Sequence, residues 1–202
     1  MKTAAKIVSF IFHPLLLATY LVLMFGIFFP SMLMIQPRQL LVVTTFVFGF
    51  TFVIPVINLL FLKKWGSIGS FQMHSQKERI YPFVFICGIY VLVSVLFFYR
   101  LPFHSHFNKL MVLITLLVAA STVLTFFIKV SVHSLAMCGW VGIMLPLIQF
   151  SPNLLVPTAV VIVLTGVVIS SRLILNVHTP KETWVGCLAG LLVGYGGMIV
   201  LF

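Results

Sequence analysis

Seven long apolar runs, separated by short polar connections, decide what this chain of 202 residues can fold into. A helix needs about 20 apolar residues to cross the hydrocarbon core of a bilayer, and its backbone groups must be paired internally there. We therefore predict an all-α integral membrane protein with six to seven transmembrane helices in one bundle, a single domain over residues 1–202. The runs cover residues 7–29, 40–62, 80–98, 110–128, 132–150, 154–169 and 184–201, the sixth being the shortest.

The composition indicates that lipid is the main solvent of this chain. Apolar residues make up 62% of it and charged residues 7%, against about 45–50% and about 25% in ordinary soluble domains. Lys2 and Lys6 precede the first run in the manner of a signal peptide, but the run continues to Phe29. That is too long for the apolar part of a signal peptide, so we expect a retained first helix.

The net charge of +10 arises from 12 basic residues against only two acidic ones. The basic residues are scattered through short connections, which disfavours nucleic acid as a partner. Two other roles suit them, holding membrane lipid headgroups or binding an anionic substrate. Cys87, Cys138 and Cys187 lie inside apolar runs and lack ligand spacing, so we expect neither a metal nor a cofactor.

The order of the runs predicts which connections share a face of the membrane. Two runs separate Arg79 from Lys129, and two more separate Lys129 from Arg172. These three residues therefore emerge on one face, whereas Arg100 and Lys109 emerge on the other. Three separate polar stretches brought to one face can build one site.

Those stretches carry the polar side chains that are most costly to place near lipid. They read Lys77-Glu-Arg79-Ile-Tyr-Pro82, Lys129-Val-Ser131-Val-His133-Ser, and Ser171-Arg172-Leu-Ile-Leu-Asn-Val-His178-Thr-Pro-Lys-Glu182. Together they resemble the type 2 phosphatidic acid phosphatase superfamily of membrane lipid phosphatases, in order and spacing, across residues 77–182.

The agreement is best in the third stretch. The family has Ser-Arg, five residues, His, three residues and Asp there, and this chain matches it with Glu182 in place of Asp. The second stretch keeps Ser131 and His133 of the family's Pro-Ser-Gly-His. The first keeps the arginine of Lys, six residues, Arg-Pro, but Gln72 stands where the lysine is expected. Lys77 or Lys129 would then supply the lost charge.

The resemblance implies a catalytic group of three side chains within a phosphatase-like core over residues 63–202. His178 attacks phosphorus and forms a phosphohistidine, His133 protonates the leaving oxygen and then activates water, and Glu182 orients His178. Arginine suits phosphate oxygens, and a serine N-cap leaves free amides for an anion. The candidate phosphate-binding residues are Arg79, Arg172, Lys129, Ser131, Lys77 and Ser171.

Several of these features have a simpler structural interpretation. Thr179 to Glu182 reads as a capping box, so Glu182 has capping as an alternative or additional role. Glycines at 186, 190 and 194 favour close helix packing within the chain, with a homodimer face as the alternative. His13, followed by proline, is predicted to be a buried helix contact.

The leading hypothesis is a lipid phosphatase acting on phosphatidate, phosphatidylglycerol phosphate or an isoprenoid diphosphate. A lipid phosphotransferase and a non-catalytic lipid-binding or carrier protein remain alternatives. The resemblance favours the outer face of a bacterial inner membrane for the site. Nine of the 12 basic residues fall on the motif face, however, and the positive-inside rule places that face in the cytoplasm.

Overall fold

The computed structural model of the protein describes residues 1–69, 73, 75–100 and 105–202, apart from the side chain of Arg100. Gln72, the position where the family has lysine, lies outside the described residues. A π-helical segment spans Gly49–Val53, and 3-10 turns span Pro14–Leu16 and Pro152–Leu154. The α-helices are α1 (Lys2–Ile11), α2 (Leu17–Phe28), α3 (Pro30–Leu33), α4 (Pro37–Phe48), α5 (Ile54–Lys64), α6 (Gln76–Arg100), α7 (Ser105–Thr125), α8 (Val132–Leu147), α9 (Leu155–Ile174) and α10 (Pro180–Leu201).

The described residues contain six helical segments that are long and apolar enough to cross a membrane. The chain is therefore a multi-pass, all-α membrane protein, as the apolar runs predict. Some spans join two consecutive helices, α1 with α2 and α4 with α5. The segments are Lys2–Phe28, Pro37–Lys64, Gln76–Tyr99, Ser105–Thr125, Pro152–Ile174 and Pro180–Leu201.

Two predicted lengths are wrong, and they are wrong in opposite directions. The sixth run forms a full span of 23 residues, because the helical segment begins at Pro152 and continues through the polar residues Ser170 to Arg172 as far as Ile174. The fifth run forms α8, an apolar helix of 16 residues, which is about 24 Å long at 1.5 Å per residue. Helix α8 does not have to match the bilayer thickness, because most of its residues are buried among other helices.

A stripe of glycines brings α10 into backbone contact with α8. A Cβ atom added at Gly186 would lie 2.6 Å from the carbonyl oxygen of Ser131, and Cβ atoms at Gly190 and Gly194 would strike carbonyl oxygens of α8. Small residues permit this approach, which is how helices associate in lipid. The stripe thus packs helices within the chain, as the first interpretation predicts.

The π-helical segment lies within the second span and packs against α6. Pro55 has no N–H group, so the carbonyl of Thr51 loses its usual helical donor. Tyr90, which is almost fully buried, donates its hydroxyl to that carbonyl at 3.3 Å. The proline therefore leaves an acceptor through which the π-helical segment is bonded to α6.

Replacing Gly190 by Ala should lower the stability of the bundle, because the new methyl group meets backbone of α8 that cannot move aside. We expect a loss of ~1–3 kcal/mol, the usual range for overpacking, seen as a lower Tm of the detergent-solubilised protein. The matched control is Gly166→Ala on α9, where no atom lies within 4 Å of an added Cβ. Equal Tm values for the two variants would contradict the close α8–α10 contact.

Candidate functional site

A cavity of about 620 Å³ lies inside the bundle at the end where the three motif stretches meet. Its polar end is lined by five side chains that come from four parts of the chain, so helix packing has gathered them. They are His13, Arg79, His133, Arg172 and His178. The parity of the apolar runs correctly predicted that Arg79 and Arg172 would lie on the same face.

The rest of the cavity is mainly apolar and extends along the helices away from that end. Tyr90 lines it three helical turns beyond Arg79 on α6, about 16 Å deeper at 1.5 Å per residue. Leu21, Ile114 and Leu117 line the same deep part from α2 and α7. The space is therefore amphipathic, with cations and imidazoles at one end and hydrocarbon walls at the other.

His178 is held in the short connection between α9 and α10. Asn176 turns the chain back with a positive φ of 52°, a conformation that asparagine tolerates better than most residues. The Nδ1 atom of His178 lies 2.8 Å from Oε2 of Glu182, and the imidazole side chain is 2% exposed. The same carboxylate oxygen accepts the N–H of Thr179 at 3.3 Å, so Glu182 caps α10 and binds His178 at once.

The surroundings of His178 favour its neutral form. Burial lowers its pKa most, and the nearby guanidinium groups of Arg79 and Arg172 lower it further, whereas the bond to Glu182 raises it. The net result is a pKa below the usual value of about 6.5. A neutral imidazole that donates Nδ1–H to a carboxylate carries its lone pair on Nε2, which makes Nε2 the nucleophilic atom.

His133 stands in the first turn of α8, where Ser131 is the N-cap, as predicted. The N–H of Ser131 donates to the carbonyl of Glu182 at 3.2 Å, which ties the second stretch to the third. The Nε2 atom of His133 lies 3.1 Å from the carbonyl oxygen of Ser9. A carbonyl only accepts, so Nε2 carries the hydrogen and Nδ1 is the nitrogen left to exchange a proton.

The two arginines are held in different ways. Arg79 is buried and donates from Nη1 to the carbonyl of Val130 at 3.1 Å and from Nε to that of Met73 at 3.0 Å. Arg172 lies close enough for the two guanidinium charges to repel. Its Nε is buried and has no hydrogen-bond partner within the described part of the chain. Two cations so close together in a poorly solvated site are an arrangement that an anion would complete.

The other predicted phosphate-binding residues do not line the cavity. Lys77 is exposed and Lys129 is half-buried, both outside it. The side chain of Ser131 caps α8, and its Oγ lies 3.5 Å from the amide nitrogen of Ser134. Ser171 donates its hydroxyl to the carbonyl of Val167 at 2.8 Å within its own helix. One residue along a helix turns by about 100°, so Ser171 and its neighbour Arg172 face different ways.

The first helix supplies residues that the motif analysis did not assign to the site. Lys6, Ser9 and His13 all line the cavity, although the predicted phosphatase-like core began only at residue 63. His13 is more than the predicted buried contact, because its ring lies at the polar end. The adjacent Pro14 was the one signal in the sequence, since a proline after histidine inside an apolar run marks a break in the helix.

The described residues contain no group of three or more His, Cys, Asp or Glu side chains placed to hold a metal ion. Searches with family models, among curated proteins and among solved structures found no match to this chain. The geometry of the site is therefore the ground for a functional proposal.

The tautomer and charge of His178 are open to measurement. At pH 6.5 its imidazole should be neutral with the proton on Nδ1, because burial and two guanidiniums oppose protonation while Glu182 accepts Nδ1–H. Nitrogen NMR of protein labelled at histidine, with His178→Ala for assignment, reports both properties. In Glu182→Ala the preference for Nδ1–H should fall. A charged imidazole, or a proton on Nε2, in the unaltered protein would refute this assignment.

Proposed function

We propose that this protein is a metal-independent lipid phosphatase, similar in fold and chemistry to the type 2 phosphatidic acid phosphatase superfamily. One observation carries the proposal. A buried histidine bound to a carboxylate through Nδ1 lies beside two guanidinium groups, at the polar end of an apolar cavity. The arrangement suits a nucleophile, an anion site and a hydrocarbon site in one space.

Binding begins with the phosphate headgroup between Arg79 and Arg172. A phosphomonoester carries up to two negative charges, and its oxygens match the planar donors of arginine. Arg79 is fixed by two backbone carbonyls, so it is preorganised. The buried Nε of Arg172 gains an acceptor when the anion arrives, and the repulsion between the two guanidiniums is relieved.

The lone pair on Nε2 of His178 then attacks phosphorus. A P–N bond forms while the bond from phosphorus to the lipid oxygen breaks, and the electron pair leaves with that oxygen. The imidazole becomes positive as the bond forms, and Glu182 at 2.8 Å from Nδ1 stabilises that charge. The carboxylate also holds the ring in place, as the acid does in other nucleophile, base and orienter groups.

His133 manages the protons at the leaving oxygen. Because Nε2–H donates to the carbonyl of Ser9, Nδ1 is the nitrogen of His133 that exchanges protons. That atom takes the proton of a singly protonated headgroup, delivers it to the departing lipid oxygen, and afterwards takes one from the water that attacks the phosphohistidine. The second attack breaks the P–N bond, releases inorganic phosphate and restores neutral His178.

A membrane lipid is the substrate class that fits both ends of the cavity. The chains of the lipid would occupy the apolar part near Tyr90 and Leu117, and the headgroup would occupy the basic end. Phosphatidate, phosphatidylglycerol phosphate and isoprenoid diphosphates satisfy this description. We place the reaction in a bacterial inner membrane, with the anionic lipid as the partner of the site.

The purified protein in detergent should release inorganic phosphate from one or more of these lipids with EDTA present. Replacing His178 by Ala should reduce the rate by ~10³-fold or more, as loss of a nucleophile does, without lowering Tm greatly. Labelled substrate separates the alternatives: free phosphate indicates hydrolysis, whereas a new labelled lipid indicates phosphotransfer. Binding of lipid without any product, or full activity of His178→Ala, would refute the mechanism.

Arg172→Gln should lower kcat/KM about 10- to 100-fold, because charge-assisted hydrogen bonds to the phosphate are lost. The matched control is Lys181→Gln, which also removes one positive charge at the same end but alters an exposed side chain outside the cavity. If the two variants lost activity equally, the effect would be one of general charge, and the assigned role of Arg172 would be wrong.

A further inference from the structure

His13 is held rigidly at the break between α1 and α2. Its Nδ1 accepts the N–H of Leu15 at 3.3 Å and so caps the 3-10 turn that begins at Pro14. Its ring packs edge to face against Phe52 and against His133, with centroids 6.4 and 5.7 Å apart. A capping bond, a proline and two ring contacts together leave the imidazole little freedom.

The capping bond decides which nitrogen of His13 faces other partners. Because Nδ1 is the acceptor from Leu15, the neutral ring carries its hydrogen on Nε2. No other hydrogen bond joins His13 to the described residues, and the side chain lines the cavity with Arg172 within electrostatic reach. A fixed donor without a partner thus stands at the basic end of the cavity.

We propose that His13 is a further phosphate-binding residue, which donates Nε2–H to an oxygen of the headgroup beside Arg172. The inference rests on the proposed function for its substrate, but an anion at this end is all that it requires. Without such an anion, the polar face of the ring has no acceptor among the described residues.

The same segment also positions His133. The carbonyl of Ser9, one turn before His13, accepts Nε2–H of His133, and Ser9 is buried. Residues 9–13 therefore serve two imidazoles, one that binds the anion and one that exchanges protons. The site is incomplete without the N-terminal segment.

Two amide variants separate the donor role of His13 from its capping role. In His13→Asn the side-chain oxygen falls near the position of Nδ1 and retains a good N-cap, but nothing reaches the position of Nε2. In His13→Gln the longer side chain carries an N–H near that position, while the cap is lost. If His13 has a purely structural role, His13→Asn should retain phosphate binding. If His13 is a donor, His13→Gln should retain more of that binding than His13→Asn.

The first readout is binding of inorganic phosphate to the purified protein, measured by phosphorus NMR, with Tm measured for each variant. We expect His13→Asn to keep a Tm near that of the unaltered protein and to bind phosphate about 10- to 100-fold more weakly. His13→Gln should bind more tightly than His13→Asn even if its Tm is lower. Unchanged phosphate binding by His13→Asn would overturn the inference.

Turnover distinguishes failure of this inference from failure of the proposed function. If no lipid yields phosphate but His13→Asn still weakens phosphate binding, the function is wrong and the anion site stands. If lipid is hydrolysed and His13→Asn has the KM and kcat of the unaltered protein, the function stands and His13 is only a cap. If the unaltered protein neither binds phosphate nor releases it from any lipid, both proposals are wrong.

Discussion

The contact between α8 and α10 is the constraint on which the candidate site depends. Lipid provides no hydrophobic drive between helices, so association relies on close packing and hydrogen bonds. The glycine stripe of α10 lets the two backbones touch, and the N–H of Ser131 reaches the carbonyl of Glu182. The starts of the two helices are thereby set side by side, which places His133 and His178 at the same cavity.

The distribution of charge supports the proposal that the site binds an anion. The chain has only two acidic residues, and Glu182 is already committed to His178 and to the start of α10. Arg79 and Arg172 lie close enough for their positive charges to repel each other. Near lipid, such a pair is costly, and the cost is offset when the cavity holds a doubly charged group.

Much of the architecture could be predicted because lipid imposes simple rules on a sequence. The lengths of the apolar runs predicted transmembrane helices. The number of runs between Arg79 and Arg172 predicted that both residues lie at the same end of the bundle. The resemblance to the phosphatase family implied the contact between His178 and Glu182, and their atoms Nδ1 and Oε2 lie 2.8 Å apart. The length of α8 was not predictable, because hydropathy does not distinguish a helix surrounded by protein from one surrounded by lipid.

The parts of the site that escaped prediction depend on tertiary packing. Whether Ser131 and Ser171 point to the cavity or to their own helices is decided by rotation about the helix axis, which a motif does not specify. Lys6, Ser9 and His13 reach the site because α1 packs against α9, a contact between the first and the ninth helix. Ala5 and Ser9 of α1 are both buried.

The acceptor for His133 is a main-chain carbonyl, and this affects which changes in α1 the site can absorb. Any residue at position 9 presents the same carbonyl, so substitution there leaves the acceptor in place if the side chain fits against α9. Removing or adding one residue before it is different, because each residue turns the helix by about 100°. The site thus depends on the register of the first helix, whereas position 9 accepts any residue whose side chain fits the buried space there.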